Sequence, residues 1–201
     1  MAAILDDKSP ICIPFILEHL ADHLAAEGPD KARPFLIGLN GVQGVGKTTL
    51  VRSLADALAA EAHPALGWCV GFRALPDAEV EARWRGPSRT LAKHKLEHLL
   101  FVNDRLREYD AITDLLDVFV HIDAEDTSYA YDWRAQQEVA LRAERGAGMT
   151  PDEVVKFVDG YYPAYELYAD ALRRGVFPDR PEKQVRMVVG KDRKVKETHV
   201  I

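Results

Sequence analysis

The sequence predicts an α/β fold built around a mostly parallel sheet. Short apolar runs typical of buried strands are separated by stretches in which apolar side chains recur at helical spacing. A glycine-rich loop joins the first clear strand to the helix that follows it. The chain has 201 residues, 47% of them hydrophobic, which suffices for one α/β core but not for two ordinary domains. We therefore expect a single three-layer domain over residues 1–201.

The glycine-rich loop is the most specific feature of the chain. Residues 41–48 read Gly-Val-Gln-Gly-Val-Gly-Lys-Thr, which fits the pattern G-x-x-x-x-G-K-[ST] at every fixed position. An apolar run at residues 35–39 precedes the loop, and residues 48–60 follow it with the apolar spacing of a helix. Strand, loop and helix thus occur in the order that a phosphate-binding P-loop requires. The fold class is therefore that of P-loop NTPases and kinases.

The residue types in this loop suit a nucleoside triphosphate with Mg²⁺. Glycines let the backbone turn its N–H groups toward the phosphates, which then lie at the positive end of the helix. Lys47 can reach the β and γ phosphates, and the Thr48 hydroxyl can be a Mg²⁺ ligand. A loop that only connected a strand to a helix would not need this Lys-Thr pair. The predicted nucleotide-binding residues are Gly41, Val42, Gln43, Gly44, Val45, Gly46, Lys47, Thr48 and Thr49.

The remaining elements follow from periodicity and from breaker residues. The predicted helices lie at residues 11–26, 48–60, 91–102 and 128–145, with a last one from residue 150 onward. The predicted strands lie at residues 35–39, 66–72, 115–122, 184–189 and 195–201, and residues 76–88 are predicted to be mostly loop. Thr150 and Glu153 have the spacing of a capping box. Gly160 and Pro163 are expected to kink the helix that this box begins.

We expect three parts within the domain. Residues 1–33 form a leading helix, residues 34–65 form the phosphate-binding strand, loop and helix, and residues 66–201 form a C-terminal half. The C-terminal half contains a helix that could close like a lid and a terminal hairpin joined by residues 190–193.

Charge and composition limit the partners. The net charge is −6 and the sequence contains no sustained basic block, so the electrostatic signature of nucleic-acid binding is missing. Acidic residues and a histidine soon interrupt the N-terminal apolar stretch, which suits neither a secretory signal nor a membrane span. Cys12 and Cys69 are the two cysteines, as expected of free thiols in a reducing compartment. We therefore expect a cytoplasmic protein without nucleic-acid or membrane partners.

Several longer motifs resemble one kinase family. The sequence reads Gly-Trp-Cys-Val-Gly-Phe at residues 67–72, Val-Asn-Asp-Arg-Leu-Arg-Glu-Tyr at 102–109, Tyr-Asp-Trp-Arg-Ala-Gln-Gln-Glu at 131–138 and Phe-Val-Asp-Gly-Tyr-Tyr-Pro-Ala-Tyr at 157–165. With the P-loop, these motifs resemble ATP-dependent kinases of the D-glycerate 3-kinase type, including their uncharacterised fungal relatives. The resemblance implies ATP and Mg²⁺ as cofactors. It also implies transfer of the γ phosphate to a small hydroxyl compound, which is D-glycerate in the characterised members.

The sequence departs from that family directly after the P-loop helix. The family has paired aspartates at a strand end and further acidic loops there, whereas this chain passes from residues 60–65 to Leu66, where the family has glutamate. The departure resembles an internal deletion, as splicing or a gene-model error would produce. Because the missing segment would supply the acids that hold Mg²⁺ and accept the proton of the alcohol, we expect nucleotide binding to persist better than turnover. We also expect an incomplete sheet.

Arg134 is the second candidate catalytic residue besides Lys47. A guanidinium near the nucleotide could clamp the transferring phosphoryl group through paired N–H bonds. The alternative is a surface helix on which Arg134 pairs with Glu138 at i, i+4, a contact worth about 0.3–0.5 kcal/mol. Asp123 ends an apolar run and could hold Mg²⁺, although strands commonly end in aspartate for turn formation.

Other chemistry-bearing residues are expected to be structural. Tyr161, Tyr165 and Tyr168 recur at helical spacing with no basic patch nearby, which favours core packing over base stacking. His94 and His98 lie one helical turn apart, and two histidines alone do not make a zinc site.

Three functions remain open at this point. The first is a small-molecule kinase, and the second is a catalytically inactive nucleotide-binding remnant or isoform. The third, a P-loop hydrolase or GTPase, is less favoured because the sequence lacks an Asn-Lys-x-Asp base-reading motif.

Overall fold

The computed structural model describes residues 6–28, 33–60 and 71–201. The α-helices in these ranges are α1 (Ser9–Glu27), α2 (Lys47–Ala60), α3 (Asp77–Arg85), α4 (Leu96–Thr113), α5 (Tyr129–Arg145) and α6 (Pro151–Arg174). The strands are β1 (Ile37–Gly41), β2 (Val118–Ala124), β3 (Gln184–Val189) and β4 (Val195–Val200). A short 3₁₀ turn spans Leu91–Lys93.

The four strands form one sheet in the order β1-β2-β3-β4. The pairs β1–β2 and β2–β3 are parallel, and β4 returns antiparallel to β3. Gly41 lies opposite Ile122, and Asp123 lies opposite Val188. The carboxyl ends of β1, β2 and β3 therefore meet at one edge of the sheet, where ligands of open α/β folds bind. The predicted α/β class with a mostly parallel sheet is confirmed.

Different helices cover the two faces of the sheet. Val118, Val120 and Ile122 of β2 pack in a core that includes side chains of α1, α2, α5 and the first half of α6. Phe119, which alternates with them, packs in a second core with α3, α4 and the second half of α6. Gly38 of β1 faces this second core, and a Cβ there would lie 2.4 Å from the Phe119 ring. The sheet is thus the middle layer of three.

Some element predictions are confirmed and others are wrong. The leading helix, the terminal hairpin and the Thr150–Glu153 capping box are all present. The predicted loop at residues 76–88 contains α3, and α4, which was predicted to end at residue 102, continues to Thr113. Both helices are polar over much of their length, so hydrophobic periodicity gave little signal for them. Helix α6 runs unbroken through Gly160 and Pro163, and the kink expected there stays a prediction.

A strand was predicted directly after the P-loop helix, at residues 66–72. Of the predicted strand at residues 66–72, residues 66–70 lie outside the described residues, and Gly71 and Phe72 are not in a strand. Within the described ranges, β1 is one of the two outer strands of the sheet, and β4 is the other. In the same part of the chain, no helix combines the length and apolar character needed to cross a membrane.

Candidate functional site

The phosphate loop connects the end of β1 to the start of α2. Gly44 and Gly46 have φ angles of +84° and +106°, a region in which a side chain would be strained. Gly44 has a second constraint, because a Cβ there would lie 2.6 Å from Cβ of Trp133. Two of the three loop glycines thus have a conformation that favours glycine, as the motif predicts.

Lys47 is the first residue of α2, and its ammonium group folds back over the loop. Its Nζ donates hydrogen bonds to the carbonyl oxygens of Gly41 at 2.6 Å and Val42 at 3.3 Å. No carboxylate of the described residues pairs with it. Burial therefore lowers the pKa of Lys47 to about 8. A cation in this state gains an oppositely charged partner when a phosphate binds.

The other predicted nucleotide-binding residues divide into two groups. Val42 and Val45 are buried in the core, at 4% and 0% exposure, so their side chains anchor the loop and only their backbone can face a ligand. Thr48 and Thr49 are exposed at the start of α2. The hydroxyl of Thr48 is therefore accessible for the Mg²⁺ contact that the motif predicts.

Helix α5 and the β3–β4 hairpin pack against the phosphate loop at Gly44. Trp133 of α5 is fully buried against Gly44, and its Nε1 donates to the carbonyl oxygen of Lys191 in the hairpin. Arg193 of the same hairpin donates from Nε to the carbonyl oxygen of Gly44 at 2.7 Å. Lys8 then bonds the carbonyl oxygen of Arg193 at 2.8 Å. The helix with the Trp-Arg motif thus lies directly on the phosphate loop.

Arg193 is a residue of this site that the sequence pattern did not indicate. Its guanidinium lies 5.2 Å from the centroid of the Trp133 ring, and no described carboxylate forms an ion pair with it. Burial consequently lowers the pKa of Arg193. The sequence suggested only a turn at residues 190–193, and a local pattern cannot show that this turn lies beside a loop about 150 residues earlier in the chain.

Helix α6 also contacts the loop. The Tyr165 hydroxyl accepts a hydrogen bond from the backbone N–H of Gln43 at 3.1 Å, and burial raises the pKa of Tyr165. Tyr162 and Tyr168 are buried, at 5% and 2% exposure, which agrees with the predicted core packing. The packing interpretation is incomplete for Tyr165, because this side chain also positions the loop backbone.

Arg134 forms the i, i+4 pair with Glu138 that the sequence allowed as an alternative. The pair is largely enclosed, since the side chains are 20% and 5% exposed. Glu138 also accepts a hydrogen bond from the backbone N–H of Met149 at 2.8 Å, and the Arg134 guanidinium lies 4.8 Å from the Phe157 ring centroid. In this arrangement Arg134 joins α5 to the start of α6, and its predicted clamp role stays a prediction.

Asp123, at the end of β2, is enclosed by two arginines. It accepts hydrogen bonds from Arg173 at 2.8 and 3.1 Å and from Arg186 at 2.7 and 2.9 Å. Burial alone would raise the pKa of Asp123, but the bonds from Arg173 and Arg186 outweigh it and hold the pKa below its usual value. With its oxygens engaged in this way, Asp123 is a structural residue and not a vacant Mg²⁺ ligand.

The histidines form no metal site in the described part of the chain, where no group of His, Cys, Asp or Glu has ligand spacing. His121 is 3% exposed on β2, and burial lowers its pKa to about 4. This side chain is therefore neutral.

The sheet order and the phosphate loop together give the chain the fold of P-loop kinases. No protein-family model matches the chain. It is 37% identical over 111 residues to the uncharacterized kinase mug58 of Schizosaccharomyces pombe and 37% identical over 118 residues to the chloroplastic D-glycerate 3-kinase of Arabidopsis thaliana. It is also 40% identical over 76 residues to the probable ATP-dependent kinase TDA10 of Saccharomyces cerevisiae. These matches confirm the resemblance to kinases of the D-glycerate 3-kinase type.

The matched regions cover only part of each relative. They span 55%, 57% and 38% of this chain but 39%, 24% and 25% of the three relatives. The chain therefore covers less than half the length of the curated relatives that it matches.

Solved structures support the fold. The D-glycerate 3-kinase from Cryptococcus neoformans var. grubii serotype A superposes with a TM-score of 0.83 over 96% of this chain and 99% of that chain, at 19% identity. The YGR205w protein superposes with a TM-score of 0.64 over 92% of this chain and 97% of that chain, at 17% identity. At these identities the likeness establishes the P-loop kinase fold.

Proposed function

We propose that the chain binds ATP with Mg²⁺ and is a small-molecule kinase that transfers the γ phosphate to a hydroxyl acceptor. The observation that carries this proposal is the pair of cations at the phosphate loop, Lys47 and Arg193, which bond only to carbonyl oxygens in the described structure. The loop amides and Lys47 would hold the phosphates, and Thr48 would hold Mg²⁺, which neutralises charge on the β and γ oxygens when bound.

The acceptor is proposed to be a small hydroxyl compound. D-glycerate is the natural first candidate, because two of the similar proteins are named D-glycerate 3-kinase. We further propose that residues 1–201 act as one domain with the three parts predicted above. The two cysteines support a reducing compartment such as the cytoplasm.

A second candidate function is nucleotide binding without transfer. It is favoured by one observation: Asp123, at the strand end nearest the loop, is engaged by Arg173 and Arg186. Phosphoryl transfer to an alcohol commonly uses a carboxylate that accepts the hydroxyl proton. Within the described residues, no carboxylate forms an ion pair with Lys47 or Arg193 at the loop.

The binding claim is tested by calorimetric titration of ATP and Mg²⁺ into the wild type and Lys47→Ala. Loss of a charge-assisted hydrogen bond is expected to weaken affinity by about 10- to 100-fold, with an unchanged circular dichroism spectrum. Lys194→Ala is the matched control, because Lys194 is exposed on the nearby hairpin. Equal affinity in Lys47→Ala and wild type would contradict the proposed site.

The two candidate functions are separated by an acceptor screen on the same samples. ADP release that depends on D-glycerate supports the kinase. ATP binding without acceptor-dependent ADP release supports the binding protein. Hydrolysis that proceeds equally without acceptor would contradict both and indicate a P-loop hydrolase.

A further inference from the structure

Arg193 has a backbone conformation that arginine rarely adopts. Its φ angle is +65°, in the left-handed region where a Cβ crowds the backbone and glycine is favoured. The residue lies in the turn between β3 and β4, where its backbone N–H donates to the carbonyl oxygen of Gly190 at 2.8 Å. A glycine would form this turn with less strain. Strained residues persist where their surroundings hold them, and they are concentrated at functional sites.

The contacts of the Arg193 side chain give a reason for an arginine in this turn. Its Nε donates to the carbonyl oxygen of Gly44 in the phosphate loop at 2.7 Å. Its guanidinium also lies 5.2 Å from the centroid of the Trp133 ring. A glycine at this position would lose both contacts. The turn therefore accepts a strained arginine, and the arginine reaches the loop.

A buried lysine holds the backbone of Arg193. The Nζ of Lys8 donates to the carbonyl oxygen of Arg193 at 2.8 Å and to the carboxylate of Asp7 at 2.9 Å. The Lys8 side chain is only 4% exposed, and lysine is almost never so deeply buried unless it is paired. Burial alone would raise the pKa of Asp7, but the bond from Lys8 outweighs it and holds the pKa below its usual value. Because Asp7 neutralises its charge, Lys8 is suited to hold the turn and not to bind a phosphate.

The residues around Lys8 also bond to the helix and the strand beside the loop. Residues 6–9, which we name the N-terminal strap, lead into α1. Asp6 of the strap accepts a hydrogen bond from the Ser53 hydroxyl of α2 at 2.7 Å. Asp7 accepts one from the backbone N–H of Val195 in β4 at 2.7 Å. The strap thus joins the P-loop helix to the β3–β4 hairpin.

Strap, turn and loop form one continuous series of hydrogen bonds. Lys8 bonds the backbone of Arg193, and the side chain of Arg193 bonds the backbone of Gly44. Since both bonds belong to the same residue, a displacement of the strap that moves the turn also moves the guanidinium relative to the loop. The strap is therefore placed to affect a ligand that it does not itself contact.

We propose that the N-terminal strap, through Lys8, positions Arg193 for the phosphates of the nucleotide, so that docking of the strap and binding of ATP stabilise each other. The inference rests on the proposed function, because it gives the strap a role at the nucleotide site. Lys8 is a positioning residue in this arrangement, and Arg193 is the residue that meets the ligand. Coupling between two sites is reciprocal, so each effect can be measured separately.

The first test measures ATP affinity with Mg²⁺ by calorimetry in wild type and Lys8→Met. Loss of the bond that holds Arg193 is expected to weaken ATP binding about threefold, the effect of one hydrogen bond. Arg180→Met is the matched control, because Arg180 also donates to a backbone carbonyl, that of Leu116, at 2.9 Å. Leu116 precedes β2 at the opposite edge of the sheet from the loop, so Arg180→Met should bind ATP like wild type.

The double variant Lys8→Met/Arg193→Ala separates positioning from a general loss of stability. If Lys8 acts through the Arg193 side chain, the double variant should bind ATP with the affinity of Arg193→Ala alone. The free energy of unfolding, measured by urea titration, should behave differently. Lys8→Met should still lower it in the Arg193→Ala background, because Lys8 bonds the backbone carbonyl that alanine keeps.

Amide hydrogen exchange of the wild type tests the reciprocal effect without a change in the strap. ATP with Mg²⁺ should slow exchange in peptides that contain residues 6–9 by a similar factor of about threefold. Peptides from α4, which packs on the other face of the sheet, show whether the slowing is general. In Arg193→Ala the slowing in the strap should be lost.

Three results would overturn the inference. The first is equal ATP affinity in Lys8→Met and wild type, and the second is exchange in residues 6–9 that does not respond to ATP. The third is a loss of affinity on Lys8→Met that is as large in the Arg193→Ala background as in wild type, because Lys8 would then act on the fold alone. Absent ATP binding in wild type would contradict the proposed function itself, and it is distinguishable because the wild type is titrated first.

Discussion

Two pairs of cations lie near the carboxyl edge of the sheet, and they differ in their hydrogen-bond partners. Arg173 and Arg186 enclose Asp123, whose side chain is 2% exposed. Lys47 and Arg193 lie at the phosphate loop and bond only to carbonyl oxygens within the described residues. The first pair is neutralised by the fold itself. The second is left for a ligand.

The difference shows how the function of a charged group can be inferred from its partners. A buried ion pair holds elements together, and here it joins α6 and β3 to the end of β2. Cations that lose hydration without gaining an opposite charge cost folding free energy. Such a cost is typical of a binding site, where the ligand supplies the missing charge.

Removing the carboxylate of the neutralised pair is expected to have the largest effect on stability. Asp123→Asn leaves two guanidinium groups against a neutral amide, and breaking a buried ion pair in this way costs about 3–5 kcal/mol. The free energy of unfolding is measured by urea titration. Nucleotide affinity in the folded variant should change little, because Asp123 does not hold the loop.

Asp170→Asn is the matched control for this substitution. Asp170 also pairs with Arg173, but its side chain is 53% exposed, and exposed pairs contribute about 1 kcal/mol or less. A loss of equal size in Asp123→Asn and Asp170→Asn would break the contrast between the two cation pairs.

Lys47, which has no carboxylate partner in the described structure, predicts that stability rises with pH. The pKa of Lys47 is about 8 in the folded protein, against an ordinary value of 10.5. The unfolded chain therefore binds more protons between these pH values, and the free energy of unfolding should rise with pH in this window. From pH 7.5 to 9.5 the gain attributable to Lys47 is about 2 kcal/mol.

The contribution of Lys47 is isolated as the difference between wild type and Lys47→Met. This subtraction is needed because burial raises the pKa of Cys12 to about 12 from 9.0, so that Cys12 stabilises the fold below pH 9 and loses this effect at higher pH. The free energy of unfolding of wild type minus that of Lys47→Met should increase as pH rises from 7.5 to 9.5. Bound ATP should abolish this increase. A flat difference would mean that Lys47 already has a compensating partner.

The sequence predicted the local part of the site and missed the distant part. Strand, loop and helix are encoded within residues 35–60, and the Thr150–Glu153 capping box spans four residues, so a short pattern suffices for both. Arg193 and Tyr165 contact the loop from 149 and 122 residues away in the chain. No local periodicity encodes such contacts, which depend on where the hairpin and α6 pack.

The same limit applies to charge. Asp123 ends an apolar run, as metal-binding aspartates do, and only the packing of α6 and β3 shows that Arg173 and Arg186 engage it. Arg134 and Glu138 have the i, i+4 spacing of an ion pair on a helix surface. They are nevertheless enclosed, because α6 begins beside them. Helix α3 was missed because only Val80 of its side chains is buried, so its sequence resembles that of a polar loop.

Arg193→Ala should give the smallest of these effects and the sharpest test of the comparison. If the guanidinium serves a bound phosphate as well as Gly44, its loss should weaken ATP affinity by about threefold to tenfold, the range of one ordinary hydrogen bond. AMP, which places less negative charge at the loop, should lose less. Lys194→Ala, at the exposed neighbouring position, should leave both affinities unchanged. A loss that is equal for ATP and AMP would mean that Arg193 only supports the loop. Lys47 would then be the one cation of this pair that serves the ligand.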